Sequence, residues 1–137
     1  MSEEENKNLV RRYYEESFYQ GRQDILHEFV SSDFIDHTPS PGMPPGIEGM
    51  KLIHSMVHNA FHDIHVDIDD LIAEGDKIVA RFTVSGSHKG EFMGMSPTGK
   101  KTSIMEIRIY RIEGRKIVEH WGLLDQGTMM QQLGLSP

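Results

Sequence analysis

The feature that most constrains this chain is a change of hydrophobic period near residue 61. Before it, apolar residues recur every three or four positions. Leu9, Val10, Tyr13, Tyr14, Ser17 and Phe18 keep that spacing within residues 3 to 20, which predicts an amphipathic helix. Its early Glu residues suit the positive end of a helix dipole, and Gly21 stops it. Ile25, Leu26 and Phe29 predict a second short helix over Gln23 to Val30. Met50, Ile53, Val57, Ala60 and Phe61 form the apolar side of a third, from about Ile47 to Ala60. Then the period falls to two. Ile64, Val66 and Ile68 alternate with His65, Asp67 and Asp69, GDK (75 to 77) turns the chain, and Ile78, Ala80, Phe82 and Val84 alternate in a second strand. Thr102 to Ile112 is a third strand, EGR (113 to 115) a tight turn, and Lys116 to about Leu124 the last strand. Helices followed by a meander of long antiparallel strands predict an α+β fold, with helices packed on one face of a curved sheet. Three helices cannot cover such a sheet, so a concavity is left for a pocket or a partner.

Two segments escape both periods. DFIDHTPSPGMPPG (33 to 46) begins extended and becomes a loop, because it holds four of the six prolines, which forbid helix and favour extended turns. KGEFMGMSPTGK (89 to 100) is Gly-rich. It lacks the lysine and the strand-to-helix setting of a phosphate loop. The 137 residues suit one domain, 1–137. A formal net charge of −7 without a Lys/Arg cluster argues against nucleic acid or an anionic membrane as partner. There is no cysteine, which excludes disulfides, thiolate catalysis and Cys-based zinc sites. No apolar run approaches a membrane span, and the polar MSEEENKN is unlike a signal peptide, so the expected location is cytoplasmic.

The segments ENKNLVRRYYEE, DFIDHTP, IEGMK, IAEGDKIVARFTVSGSHKGEFMGMSPTGK and RIEGRKIVEHWGLLDQGTMMQQLG together resemble the SnoaL-like polyketide cyclases, or ester cyclases, of the NTF2-like superfamily. The resemblance spans nearly the whole chain. It implies a cone-shaped α+β barrel: a bent mixed sheet round a hydrophobic pocket, its outer face used for a homodimer. It also implies intramolecular aldol closure of a polyketide ester with no cofactor and no metal, using an Asp as general acid/base. The matching residue is Asp125, in EHWGLLDQ, and His37, in DFIDH, matches a position that often faces the pocket.

Asp125 follows Trp121, Leu123 and Leu124 and precedes Met129 and Leu133. A carboxylate in a partly dry apolar site has a raised pKa and can both take and return a proton. Asp125 also has the position of an N-cap for GTMMQQLG, and both roles stay open. His37 and His120 are candidate acid partners. A regular last strand puts Glu119, Trp121, Leu123 and Asp125 on one face and His120 on the other. A bulge at Gly122 would change this. Glu106 and Arg108 share a face. Toward a pocket they would bind a substrate oxygen or one another, and toward solvent they would form a modest ion pair. Tyr14 and Phe18 would wall the pocket or pack the core. Trp121 offers a flat surface to a planar ligand or packs inside, while the 89 to 100 loop resembles the family's pocket-rim loop, which implies that Phe92 and Met93 touch ligand. His54, His58, His62 and His65 crowd one region, where a solvated face outweighs a metal site.

These residues leave three functions standing: an aldol cyclase acting on a small hydrophobic carbonyl compound, a non-catalytic binding or dimerising module, and an isomerase or epoxide hydrolase.

Overall fold

The computed structural model describes residues 2–134. The elements are α1 (Glu3–Arg12), a π-helical turn (Tyr13–Phe18), a 3-10 turn (Gln23–Glu28), β1 (Val30–Asp36), α2 (Ile47–Ala60), β2 (Phe61–Glu74), β3 (Lys77–His88), β4 (Lys101–Glu113), β5 (Lys116–Leu124) and α3 (Gln126–Gln132). This is the mixed α+β architecture expected, with two corrections to the helices. The first helix is not α-helical throughout, and the second is a single 3-10 turn that yields to β1 at Val30. A further helix, α3, closes the chain's described part.

α1 begins where Ser2 and Glu5 exchange bonds: the Glu5 N–H donates to Ser2 Oγ at 3.1 Å and the Ser2 N–H to Glu5 Oε1 at 3.2 Å. This reciprocal cap satisfies two donors that a helix start leaves free. The wider π turn that follows puts Tyr13, Tyr14, Ser17 and Phe18 all inward. Such turns are uncommon and recur at functional sites. Here one turn sends Tyr13 to α2, Tyr14 to β4 and Phe18 to the cavity described below.

The sheet runs β1-β5-β4-β3-β2, with β1 parallel to β5 and every other pair antiparallel. β2, β3 and β4 have 14, 12 and 13 residues, against about five or six in an average strand. Register shifts in β2, between His62 and His65 and between Ile68 and Asp70, bend it as bulges do. The concave face carries Ile78, Ala80, Phe82, Tyr110, Ile112 and Ile117, which pack against Val10, Tyr13, Tyr14, Leu26 and Phe29. Tyr14 and Tyr110 share a short hydroxyl–hydroxyl contact in this core. The convex face is uncovered, and Met105, Ile107, Ile109 and Leu123 are exposed on it.

One register shift decides what β5 delivers to the concave side. Ile112 pairs with Ile117, but Arg111 pairs with Glu119, so Val118 is an extra residue. Such an insertion reverses the parity of everything beyond it. Ile117 and His120 therefore both turn inward and are buried, while Glu119, Trp121 and Leu123 turn outward with Arg111, Ile109 and Ile107 of β4.

Candidate active site

A cavity of about 320 Å³ opens where α2, the 37–46 loop, the middle of β4 and the end of β5 meet. Three cross-strand pairs of the concave face lead to it: Tyr110 beside His120, Arg108 beside Gly122, and Glu106 beside Leu124. The loop is pressed onto α2 at Gly49, where a Cβ would lie 2.0 Å from the Pro44 carbonyl oxygen. Only glycine allows that approach.

Asp36 and His120 form a carboxylate–imidazole pair on its wall. Parallel pairing of β1 with β5 sets Asp36 against His120, and His120 Nε2 lies 3.0 Å from Asp36 Oδ1. The same oxygen accepts the Thr38 N–H at 2.9 Å. Burial pushes the Asp36 carboxyl up, but bonding to His120 and Thr38 and the charge of Arg108 outweigh it, so its pKa is below the ordinary carboxylate value. His120 is 4% exposed. Burial lowers its pKa, Asp36 works the other way, Arg108 adds to the lowering, and the net shift is downward. At neutral pH the pair is therefore a carboxylate set 3.0 Å from Nε2 of a neutral imidazole. Among the described residues Asp36 Oδ2 accepts no bond and His120 Nδ1 has no partner, so the pair has proton-accepting capacity in reserve.

Arg108 supplies positive charge beside this pair. Its Nε and Nη2 donate to one oxygen of Glu106, at 3.3 and 2.9 Å, and Glu106 keeps it protonated against the opposing effect of burial. Its side chain lies over Gly122, where a Cβ would come within 2.7 Å of Arg108 Cγ. Gly122→Ala is expected to displace the guanidinium and lower kcat/KM by roughly 10- to 100-fold while the folded state persists, as turnover and melting curves would show.

His54 completes the polar wall. It is 2% exposed, its Nε2 lies 2.9 Å from the Tyr13 hydroxyl, and its Nδ1 has no partner among the described residues. Burial, then the charges of Arg108, His58 and His120, pull its pKa down to about 3. It is a neutral imidazole at every working pH.

A family profile for SnoaL-like polyketide cyclase matches residues 8–133. The chain belongs to the SnoaL-like polyketide cyclase family. It is 29% identical over 133 residues to the aklanonic acid methyl ester cyclase DauD of Streptomyces sp. (strain C5), covering 93% of this chain and 80% of the relative. It is 27% identical over 119 residues to the nogalonic acid methyl ester cyclase of Streptomyces nogalater, covering 84% and 88%. Its fold superposes on the structure of TsrD from Streptomyces laurentii with a TM-score of 0.89 at 28% identity, covering 98% of each chain.

Within this cyclase-family chain the structure gathers some of the expected site residues and disperses others. His120, Glu106, Arg108 and Phe18 line the cavity, and Phe92 lines a smaller chamber beside it. Asp125 does not. It is exposed, its Oδ1 accepts the Thr128 N–H at 3.1 Å, and its Oδ2 accepts the Thr128 hydroxyl at 2.7 Å. The Thr128 bonds lower its pKa, the opposite of what an acid/base carboxyl needs. Its place is the N-cap of α3. Asp125→Ala should lower the melting temperature by roughly 2–4 °C and leave turnover near the wild-type rate. His37 is also outside the cavity. It stacks on Trp121 with ring centroids 4.6 Å apart and planes 8° apart, and bonds Glu119 at 3.2 Å, on the convex side. Trp121 is therefore no ligand wall of this cavity, since the extra residue in β5 turns it outward. Tyr14 is core, and Met93 is 53% exposed in a left-handed turn conformation. The solvated-face reading fails for His54, although His62 and His65 are exposed.

Asp36 and His54 are the site residues that sequence reasoning missed. Each had a usable signal. Phe34 is a core residue of an extended segment, so Asp36 shares its face and His37 takes the other. His54 lies four residues beyond Met50 on α2, on the same side of the helix.

Proposed function

We propose that this cavity carries out cofactor-independent intramolecular aldol closure of a small hydrophobic, carbonyl-rich ester, with Asp36 and His120 as a coupled acid/base pair. The observation that carries this reading is the Asp36–His120 pair on a cavity wall beside Arg108. The C–H bond next to a carbonyl breaks and its proton passes to the pair. The resulting enolate oxygen is stabilised by the Arg108 charge. The enolate carbon bonds to a second carbonyl carbon of the same molecule, and the new alkoxide recovers the proton. Atoms and electrons balance within the substrate and the pair. A cavity of about 320 Å³ falls in the small-molecule range, and Phe18, Met50 and Ile53 supply its apolar surface.

Aklanonic acid methyl ester, the compound named for one relative, is the first probe. The expected result is a cyclised product of unchanged mass, in which the new carbon–carbon bond replaces the broken C–H bond; in D2O, deuterium enters the activated carbon only where the enolate exchanges before it closes. Exchange without ring closure would redirect the reading to an isomerase. Neither exchange nor product, with a range of carbonyl-rich esters, would leave a binding module.

A second copy of the chain is the expected partner. Its site is the convex face, where Met105, Ile107, Ile109 and Leu123 are exposed together, an apolar patch of the kind that marks interfaces. Ile107→Lys should convert a dimer to a monomer in light scattering, and an unchanged mass would place the interface elsewhere. The cytoplasmic location expected from the sequence belongs to the same proposal, and cell fractionation reads it.

A further inference from the structure

A second chamber of about 80 Å³ lies beside the active-site cavity, lined almost wholly by apolar surface. The two share three wall residues, Phe18, Glu106 and Leu124. They also follow one another along the same elements. On β4, Arg108 lines the cavity, Glu106 lines both spaces and Ile104 lines the chamber. On α2, Ile53 and His54 line the cavity, and Val57, one turn further, lines the chamber. On β5, Gly122 lines the cavity and Leu124 lines both. Three elements thus run from one space into the other, and along β4 the lining passes from charged to apolar.

The geometry points to a single elongated binding groove in which the small chamber receives a short, unbranched aliphatic tail of the substrate, of two to three carbons. This rests on the cyclase reading, because the other end of the same molecule is the carbonyl group at Asp36 and His120. Volume sets the tail's length: a water-sized group takes about 30 Å³, so 80 Å³ holds two or three heavy atoms. Chemistry sets its polarity. The neck carries the Glu106 carboxylate, whose oxygen is committed to Arg108 on the cavity side, so an anionic tail is repelled. Among the chamber's few polar groups, the Thr102 hydroxyl already donates to the Gly86 carbonyl at 3.4 Å. Strand rise sets the reach. Ile104 and Arg108 are four residues apart, roughly 13 Å along β4, the span of a fused-ring or extended polyketide. An apolar void left empty is unfavourable, and a methylene chain fills it at no hydrogen-bonding cost.

The test is a ligand series of 1-phenyl-1,3-diketones whose acyl tails run from methyl through ethyl and propyl to pentyl, with affinity measured by titration calorimetry on the full chain. Affinity should rise about fourfold per methylene up to propyl and then fall at pentyl. Val84→Phe, which fills the chamber, should abolish the increments. Phe92→Ala, which enlarges it, should move the optimum to longer tails and keeps the test available if the Phe variant does not fold. A wild-type series that is flat, that still rises at pentyl, that keeps its slope in Val84→Phe, or that does not bind at all overturns the inference. A chain-length optimum without turnover of any ester would sink the cyclase reading alone. Turnover with a flat series would sink the tail chamber alone.

Discussion

Asp36→Asn should lower the turnover of an accepted ester by about 10²- to 10⁴-fold, the usual worth of a positioned acid/base group. Asn keeps the size of the side chain and its carbonyl oxygen can still accept the Thr38 N–H. What it removes is the negative charge that lies 3.0 Å from His120 Nε2. The imidazole then loses the charge that favours its protonation, so KM should move far less than kcat. His120→Asn should cost a similar factor, and the double variant little more than either, because residues that act as a unit are not additive. Asp125→Ala is the internal control. If it abolishes turnover while Asp36→Asn does not, the assignment of the pair is wrong and the chemistry belongs at the start of α3. In the wild-type pH–rate profile, the acid limb should fall below the ordinary histidine range, because burial lowers the His120 pKa. That limb belongs to the pair and not to either residue singly.

Acid should destabilise the fold through a further histidine of the cavity wall, outside the Asp36–His120 pair. The His54 pKa is about 3 in the folded state, against roughly 6.5 in an unfolded chain. Between those values the unfolded state binds a proton that the folded state refuses. Stability is then complete above about pH 6.5, falls as pH drops, and stops falling from this cause below about pH 3. At pH 4 the loss is about 3 kcal/mol, and it reaches about 4–5 kcal/mol at the end of the window. A loss of 3 kcal/mol corresponds to roughly 10 °C in melting temperature. His120 acts in the same direction with a smaller shift, and carboxylates with lowered pKa values such as Asp36 also lose stability on acidification. The comparison that isolates His54 is therefore a slope. His54→Gln retains a polar partner for the Tyr13 hydroxyl and cannot titrate. Its melting temperature should vary less between pH 7 and 4, by roughly that 10 °C. Equal slopes in both proteins would mean that His54 charges freely in the folded state and that its burial is not rigid.

The same residues show why parts of the site were legible and others were not. Hydrophobic period places α2 and the long strands β2 to β5 well, because each buries one face and the period of that face is local information. It misjudges the second helix. Ile25, Leu26 and Phe29 fit a helical stripe, but only Leu26 and Phe29 of those three are deeply buried, and the chain turns into β1 to pair with β5. The family resemblance extends the reading to the curved sheet and its pocket. It does not transmit Asp125 to that pocket, because the position serves here as a helix cap.

By itself the sequence determined the α+β class, the run of long strands after residue 61, the turns at 75 to 77 and 113 to 115, and the absence of thiol chemistry. These depend on side-chain period, backbone permissiveness and composition, all of which act within a few residues. Only the tertiary structure decided which face of β5 looks inward. Val118 is unremarkable as a residue, and it becomes a bulge only through its pairing with β4, yet it sends His120 into the cavity and Trp121 out of it. Asp36 meets His120, 84 positions further along the chain, through a parallel pairing of strands. No local pattern encodes such a contact, because its free energy exists only once both strands share a sheet.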